Sequence, residues 1–481
     1  MMVRMADGRA TFIDFRERAP KASTPDMYLD SGGKETKDGT VGYRAVGVPG
    51  TPRGLEFAQS KFGLRSWREL VEPAWRLASK GFVVSYGLSE QLKFKPHREL
   101  LGRFPESTRI FLRDGRFYEP GETLRQPDLA RTLKRLMKHG AKDFYEGETA
   151  RLIAADMRAH GGLVTLSDLR DYRVIERAPL EGTYRGFTIL AAPPPSSGGV
   201  GILQILGMLE STGFEQAGAG SAGATHYMTE AMRRYFADRS RYLGDPQFST
   251  NPIARLLDPG YLAQRRRSID PARATPSAEI APGLPAPYES AQTTHYSIVD
   301  AQGNAVSVTY TLNDSFGSGV TASGTGVLLN DEMDDFSPGP GAPNGSQISY
   351  QGKANSIQPG KTPLSSMSPT IVLRDGNLYA VLGSPGGPSI INTVVEVLVN
   401  LLDFHMNLAD AVDFPRFHHQ WMPDRLQLER GFSPDTIERL KTMGHRVELV
   451  SQQGEVAAIL ATRGWLEGSA DPRTEGTAEG Y

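Results

Sequence analysis

Two threonines and an asparagine lie at spacings that could bring a hydroxyl nucleophile together with polar partners. The segments Thr294–Val299 and Ala305–Asn313 alternate as two β-strands, and the loop between them has a glycine at the left-handed position that three-residue hairpin loops favour. This pairing sets Thr293 opposite Thr311 and leaves Asn313 on the same face. Threonine is also a good strand former, and facing threonines are common, so the spacing alone favours a structural explanation.

A second predicted hairpin leads toward another group of small polar residues. Strands Leu364–Arg374 and Asn377–Gly383 flank an Asp-Gly turn. The two-residue geometry of such a turn places Ser365 opposite Gly386, to within a residue or two. A serine hydroxyl and a glycine backbone would therefore lie near each other beyond the strand ends.

The segment that follows this hairpin could bind an anion. Gly383–Ser389 opens a predicted helix over Ile390–Phe404, with Ser389 as its N-cap. Backbone N–H groups of a Gly-Gly turn beside a helix N-terminus can bind negative charge, and in acyl transfer such a turn forms an oxyanion hole. A plain strand–helix loop has the same composition, and the local sequence alone favours it.

Four acidic residues cluster at the end of an apolar strand, within Leu328–Phe336. Acidic residues in loops are usually solvated, which is the simpler interpretation. The functional alternative is a pocket for a cationic amine. The adjoining segment Ser337–Ser346 is rich in Pro and Gly, as is typical of a mobile lid over such a pocket.

The overall composition excludes several kinds of chemistry. The chain has 481 residues, a formal net charge of −2 and no cysteine, which excludes disulfides, thiolate metal sites and a cysteine nucleophile. No basic excess indicates a nucleic-acid partner or an anionic membrane. The longest apolar stretch is too short and too interrupted to span a bilayer, and Met1–Asp7 lacks the apolar centre of a signal peptide.

The elements that would position these residues change in character at Thr293. Residues 1–290 are mixed and rich in helix, whereas residues 293–385 are dominated by alternating strands with tight turns, followed by a helix and more α+β structure. The polar stretch 267–291, rich in Pro and Ala, indicates an exposed linker. Helical apolar spacing precedes it in Trp67–Lys80, Gln126–His139, Glu148–His160, Gly201–Ser211 and Thr225–Tyr242.

Motifs along the whole chain resemble those of the γ-glutamyltransferase family, also called γ-glutamyl transpeptidase or glutathione hydrolase. The resemblance is strongest at Gln292–Ser297, around the first strand of the first hairpin. It extends in order through the chain, which makes it specific. The other matching motifs are Asp14–Glu17, Gly47–Gly50, Pro193–Gly199, Ala237–Ser240, Tyr242–Pro246, Thr309–Asn313, Met333–Phe336, Pro363–Thr370, Gly383–Gly387, Phe414–Trp421 and Gly480–Tyr481.

The resemblance implies a threonine nucleophile that the protein makes for itself. The precursor would cleave its own backbone between Gln292 and Thr293, and the freed amine of Thr293 would act as base for its own hydroxyl. An internal threonine has no such base, whereas a new α-amine titrates near pH 8, close to a working pH. Thr311 resembles the family's orienting threonine, in agreement with the cross-strand pairing.

The other site residues are carried over by position and fall into three groups. The group that would hold the α-carboxylate of the glutamyl donor comprises Arg16, Ser365 and Ser366. The group that would hold its α-amine comprises Asn313, Glu332 and Asp335. The oxyanion hole would comprise Gly386 and Gly387. Arginine suits the first task because its planar fork can bind a carboxylate with two hydrogen bonds.

The resemblance also implies an α+β fold, the four-layer αββα sandwich of N-terminal nucleophile hydrolases, and we expect this chain to lack the family's N-terminal segment. Residues 1–292 would form a large subunit and residues 293–481 a small one, intertwined as a heterodimer in one structural domain. Donors would be glutathione and other γ-glutamyl compounds, and acceptors would be water, amino acids or peptides. No cofactor or metal is implied, and the resemblance implies a periplasmic or extracellular location.

Two other functions stay open at this point. A glutaryl-cephalosporin-type acylase of the same family would act on a group without an α-amine, so Asn313, Glu332 and Asp335 favour the γ-glutamyl donor. A non-catalytic relic, left by loss of an N-terminal segment, would remain one uncleaved chain.

Two further motifs lack the context that their possible functions need. Gly218–Gly223 fits a dinucleotide fingerprint, but no strand is predicted before it, so we expect a loop. His418 and His419 would point to opposite faces of a strand without companion metal ligands, so we expect structural roles.

Overall fold

Two antiparallel sheets, stacked face to face, form the centre of the computed structural model, which describes residues 1–113, 116–280, 292–337, 353–462 and 464–481. The strands are β1 Met2–Arg4, β2 Ala10–Asp14, β3 Phe82–Val83, β4 Thr123–Leu124, β5 Ile175–Arg177, β6 Leu180–Tyr184, β7 Phe187–Ala191, β8 Thr294–Val299, β9 Ala305–Tyr310, β10 Thr321–Ala322, β11 Val327–Leu328, β12 Thr370–Arg374, β13 Asn377–Gly383, β14 Phe417–His418, β15 Leu426–Glu429, β16 Val447–Val450, β17 Ala457–Thr462 and β18 Trp465–Ala470. One central sheet has the order β5-β2-β1-β9-β8, the other the order β18-β17-β13-β12-β7-β6.

Helices cover the outer faces of both sheets, which gives the four layers that the family resemblance implies. They are α1 Thr51–Phe62, α2 Trp67–Lys80, α3 Tyr86–Lys93, α4 Lys95–Leu101, α5 Pro105–Ser107, α6 Pro127–His139, α7 Lys142–Glu146, α8 Glu148–Ala159, α9 Leu166–Asp171, α10 Gly198–Leu209, α11 Ala222–Tyr242, α12 Ile253–Leu256, α13 Pro259–Arg267, α14 Ser389–Leu402, α15 Leu408–Asp413 and α16 Pro434–Thr442. Helices α10 and α14 pack on the six-stranded sheet, and α1 packs on the five-stranded one. The predicted α+β sandwich is confirmed.

Two helices that are apolar on nearly every side lie at the centre of the core. Every residue of α14 is buried, and so is every residue of α10 except Gly207. A helix that is apolar all round must be buried on all sides, and each large side chain contributes about 1.5–3 kcal/mol when it is removed from water. This burial fixes the start of α14, and with it the glycine turn that precedes the helix.

The first hairpin has the register that its sequence predicts. Thr294 pairs with Tyr310 and Val299 with Ala305, and this register, continued by one residue, sets Thr293 opposite Thr311. Gly303 in the loop has φ 86°, the left-handed conformation that the three-residue loop requires. Polar side chains of β8 and β9 therefore face the other sheet, where both strands contact β13.

The second hairpin departs from its predicted register near the site. Arg374 pairs with Asn377 as expected, but an irregularity at Val372/Leu373 shifts the rest by one residue, and β12 starts only after Pro369. Proline cannot donate to a strand ladder, so the pairing stops there. The predicted facing of Ser365 and Gly386 is therefore not a strand pair, because Ser365 forms a parallel bridge with Ser196 instead.

Two local predictions are wrong for identifiable reasons. Ser389 is the first residue of α14 rather than its N-cap, and its hydroxyl donates back to the Gly386 carbonyl at 2.7 Å. The predicted exposed linker packs onto the body over residues 267–280: the indole of Trp421 donates to the Ser277 carbonyl at 2.8 Å. A polar composition does not reveal that the backbone of a segment forms hydrogen bonds with distant residues. Residues 281–291 lie outside the described residues.

The outer face of the five-stranded sheet is covered unevenly. A cleft lined mainly by apolar residues of α1, α2, α6, β8 and β9 separates the helices from this face. Tyr296 and Ile298 on β8 are 38% and 53% exposed. The helices therefore leave part of the β8 strand on this face exposed. In the part of the chain that the structure describes, no helix is both long and apolar enough to cross a bilayer.

Candidate active site

Two threonine hydroxyls converge on the carbonyl group that precedes the predicted nucleophile. Thr293 lies just before β8, and its Oγ1 donates to the Gln292 carbonyl oxygen at 2.7 Å. Thr311, just past the end of β9, donates to the same oxygen at 3.1 Å. The pairing deduced from the hairpin thus places both hydroxyls at the bond predicted to break.

The direction of the Thr311 hydroxyl is set by the backbone. The N–H of Asn313 donates to Thr311 Oγ1 at 2.8 Å, so that oxygen acts as an acceptor there and turns its own proton toward Gln292. Asn313 has φ 75°, a left-handed conformation that asparagine tolerates better than most residues. This left-handed turn changes the direction of the chain directly after the N–H that binds Thr311.

Arg16 is a buried cation at the centre of the site. Its guanidinium forms an ion pair with Glu332 at 2.9 Å and a second with Asp335, and its Nε donates to the Pro363 carbonyl at 3.0 Å. Burial would lower the pKa of Arg16, but the two carboxylates raise it above its ordinary value. The arginine therefore stays charged. The backbone carbonyls of Pro363 and Leu364 help to hold it.

The acidic segment is buried, so the solvated interpretation is wrong for most of it. Glu332 has no exposed surface, and its Oε2 lies 2.9 Å from Arg16 Nη1. Burial raises the pKa of Glu332 to about 8, although the charge of Arg16 opposes the shift. A buried acceptor pair in this state could gain a cationic donor from a ligand. The predicted lid beside it lies mostly within residues 338–352, outside the described residues.

Asp331 is a positioning residue that the sequence analysis did not assign to the site. Its carboxylate accepts from the Asn313 Nδ2 at 3.2 Å and from the Asp314 backbone N–H at 3.0 Å. With its amide nitrogen committed to Asp331, Asn313 has its side-chain oxygen left to face a ligand. Asp331 belongs to the acidic run noted in the sequence, but only the tertiary contact distinguishes it from its neighbours.

The two predicted carboxylate-binding serines are held by a second loop. Ser365 donates its N–H to the Pro195 carbonyl at 3.0 Å, and its own carbonyl accepts from Ser197 N–H at 2.7 Å. Ser366 Oγ accepts from Arg239 Nη2 at 3.0 Å. The Pro193–Gly199 and Ala237–Ser240 motifs, which had no role assigned from sequence, thus form the support of this wall.

The glycine turn before α14 has a conformation that other residues rarely adopt. Gly386 has φ 132° and Gly387 φ 56°. A Cβ on Gly386 would also lie 2.6 Å from Ser389 Oγ. The turn therefore needs glycine for both backbone and space, and it presents its backbone at the N-terminal end of a fully buried helix.

One narrow cavity brings most of the predicted residues together. Its lining comprises Arg16, Thr293, Thr311, Asn313, Asp335, Ser365, Ser366 and Gly387, with Met367 and Ile390. Glu332 stands behind Arg16, and Gly386 adjoins Gly387 in the turn. The cavity draws on both predicted subunit regions, because Arg16 follows β2 while the other lining residues lie after Gln292.

Residues that could suggest a metal or dinucleotide have other partners. Among the described residues, His226, Glu230 and His445 lie close enough to share a cation, but His226 Nδ1 and His445 Nε2 hydrogen-bond each other at 2.8 Å, and Glu230 pairs with two arginines. The buried His418 hydrogen-bonds Asn392 at 2.7 Å, and His419 contacts Asp424 at 3.2 Å. The Gly218–Gly223 segment runs into the first turn of α11 and has no strand directly before it, as predicted.

Comparison with known proteins identifies the relatives of this chain. Over residues 1–481 the sequence matches the family described as Gamma-glutamyltranspeptidase. It is 48% identical to the glutathione hydrolase proenzyme of Pseudomonas sp. (strain A14), covering 100% of this chain and 85% of that protein. It is 46% identical to the Escherichia coli (strain K12) glutathione hydrolase proenzyme, covering 98% and 82%.

A solved structure with the same architecture is the cephalosporin acylase from Bacillus halodurans. The TM-score is 0.86 at 25% identity, over 100% of this chain and 87% of that one. The two glutathione hydrolase proenzymes share almost twice as many identical residues with this chain as the acylase does. The chain belongs to the gamma-glutamyltranspeptidase family.

Proposed function

We propose that this protein is a γ-glutamyltransferase and glutathione hydrolase that activates itself by cleavage between Gln292 and Thr293. The observation that carries the proposal is the convergence of the Thr293 and Thr311 hydroxyls on the Gln292 carbonyl, at distances of 2.7 and 3.1 Å. Attack of Thr293 Oγ on that carbonyl carbon forms a C–O bond, and the proton passes to the departing amide nitrogen. Thr311 stabilises the negative charge that develops on the Gln292 oxygen.

Hydrolysis of the resulting ester releases two chains, residues 1–292 and 293–481, which we propose stay together as a heterodimer. The new α-amine of Thr293 then accepts the proton of its own hydroxyl. That hydroxyl attacks the γ-carbonyl carbon of the donor, the leaving amine takes the proton, and a γ-glutamyl ester forms. Water or the amine of an amino acid or peptide resolves the ester. The N–H groups of Gly386 and Gly387 would stabilise the oxyanion.

The charges around Arg16 suit the zwitterionic end of a γ-glutamyl donor. The α-carboxylate would bind Arg16, Ser365 and Ser366, while the α-ammonium would bind the buried carboxylate of Glu332. Asn313 and Asp335 would complete the amine pocket. A glutaryl amide has no ammonium, so the acylase alternative would leave the buried carboxylates without this partner. By family resemblance, we propose a periplasmic or extracellular location.

Replacement of the nucleophile tests the proposal. We expect Thr293→Ala to abolish both backbone cleavage and turnover of γ-glutamyl-p-nitroanilide, because no other hydroxyl replaces the attacking Oγ. Denaturing gels, intact mass and the N-terminal sequence of the small chain measure the cleavage. Thr294→Ala is the matched control, since this neighbouring side chain is exposed, and it should cleave normally. A wild-type protein that turns over the anilide as one unbroken chain would refute the mechanism, whereas an unbroken chain without turnover would favour the relic.

A further inference from the structure

Arg239 is a buried arginine that supports the wall of the cavity without lining it. It lies on α11, and its residue is 1% exposed. Its Nε donates to Ser197 Oγ at 2.8 Å, and its Nη2 donates to Ser366 Oγ at 3.0 Å. One guanidinium thus connects the Pro193–Gly199 loop with a serine that lines the cavity.

The position of Arg239 is fixed from both directions. The preceding residue, Asp238, accepts from Gln204 Nε2 at 2.8 Å and from the Tyr261 hydroxyl at 2.7 Å, which anchors this turn of α11. On the other side, the Ser197 hydroxyl donates to the Ser365 carbonyl at 2.7 Å. The guanidinium therefore has little freedom to move away from Ser366.

The chemistry of the guanidinium decides how the serine hydroxyl is oriented. Arginine has only N–H donors, so Ser366 Oγ must accept from it and direct its own proton elsewhere. Without such a donor, a serine hydroxyl can rotate and present either a lone pair or a proton to a ligand. A lone pair would repel a carboxylate, whereas the proton would bind it.

We propose that Arg239 is a positioning residue that holds Ser366 as a hydrogen-bond donor toward the α-carboxylate of the substrate. Arg239 thereby sets the preference for donors with a free α-carboxylate over those with a neutral α-carboxamide. The inference rests on the proposed function, in which Ser366 belongs to the carboxylate pocket. It goes beyond that function because it assigns selectivity to a residue that does not touch the substrate.

The test compares two donors that differ only at the α-carbon, γ-glutamyl-p-nitroanilide and its α-carboxamide. For Arg239→Gln we expect KM for the carboxylate donor to rise about 10–100-fold, the range of a charge-assisted hydrogen bond, with kcat within about threefold. The kcat/KM for the carboxamide donor should change less than about threefold, because a neutral amide can donate to a reoriented hydroxyl. Arg241→Gln, an exposed position on the same helix, should leave both donors unaffected.

Processing is checked first on a denaturing gel. If Arg239→Gln does not cleave itself, Arg239→Lys replaces it, because lysine keeps the positive charge and an N–H group. Assayed with the same two substrates, Arg239→Lys should show a smaller loss of selectivity. If the kcat/KM of the variant falls equally for both substrates, or for neither, the inference is overturned and Arg239 has only a structural role. A wild-type protein that turns over neither donor refutes the proposed function instead.

Discussion

At the scale of single residues, the site contains hydroxyl groups whose orientation is set by N–H groups, which can donate a hydrogen bond but cannot accept one. The backbone N–H of Asn313 fixes Thr311, and the guanidinium of Arg239 fixes Ser366. An N–H group can only donate, so each oxygen accepts on one side and keeps its proton for the other. The Thr311 hydroxyl is therefore oriented toward the Gln292 carbonyl oxygen, where negative charge would develop, which lowers the reorganisation needed in the reaction.

Glu332 should make ligand binding depend on pH. Its burial raises its pKa to about 8, so a larger fraction of the group is ionised at pH 8 than at pH 6. Only the ionised form attracts an ammonium group. We therefore expect the inhibition constant of L-glutamate to fall roughly tenfold or more from pH 6 to pH 8 in the wild type, and much less in Glu332→Gln.

Glutarate serves as the control for this measurement because it has no α-amine. The freed amine of Thr293 titrates in the same pH range, but it acts equally on both inhibitors. The inhibition constant of glutarate should therefore lack the Glu332-dependent fall. If L-glutamate keeps the same pH dependence in Glu332→Gln, Glu332 does not bind the amine.

At the scale of elements, local sequence patterns predicted those features of the strands that are determined by residues close together in the chain. The first hairpin was predictable in register, because its alternation and its three-residue loop are both encoded within residues 294–311. The register shift in the second hairpin was not predictable, because β12 also pairs with β7. In addition, the backbone of Ser365 hydrogen-bonds to Pro195 and Ser197. These partners lie well over a hundred residues away, beyond any local period.

The same limit applies to the candidate site. Residue types and family motifs selected the side chains that meet in the cavity, including Thr293 and Thr311. They could not indicate that Asp331 holds Asn313, or that Arg239 reaches Ser366, because those contacts form only when separate elements pack. The burial of the acidic segment likewise depends on Arg16, which lies more than three hundred residues earlier.

The contact between the two sheets should be sensitive to a single methyl group. A Cβ on Gly383 would lie 2.2 Å from the His295 ring, while the backbone of Gly383 is not left-handed, so space alone excludes alanine. His295 is two residues from Thr293 on β8. We expect Gly383→Ala to reduce the free energy of unfolding by about 1–3 kcal/mol and to slow backbone cleavage, because β8 must shift.

Denaturant unfolding and a cleavage time course on gels measure these two effects. Gly480→Ala is the control, since nothing lies within 4 Å of a Cβ there. Adding His295→Ala to Gly383→Ala makes room for the methyl group and should restore part of the cleavage rate. If Gly383→Ala cleaves at the wild-type rate, the spacing between the sheets does not control the position of Thr293.

At the scale of the whole molecule, both sheets are built from the two regions on either side of the proposed cleavage site. Strand β1 pairs with β9 in one sheet, and β7 pairs with β12 in the other. Arg16, from the first region, pairs with Glu332 and Asp335 from the second. Cutting one peptide bond between Gln292 and Thr293 removes none of these contacts, so neither region can leave without opening both sheets.

We therefore expect the cleaved protein to elute as one species in native size-exclusion chromatography and to unfold in one cooperative transition. The uncleaved Thr293→Ala protein is the comparison, and its denaturant m-value should equal that of the cleaved form, because m follows the surface exposed on unfolding. The cleaved form alone should gain stability with concentration, since its unfolding also separates two chains. Separate transitions for residues 1–292 and 293–481, or two native elution peaks, would mean that the sheets do not bind the chains together and that the regions fold independently.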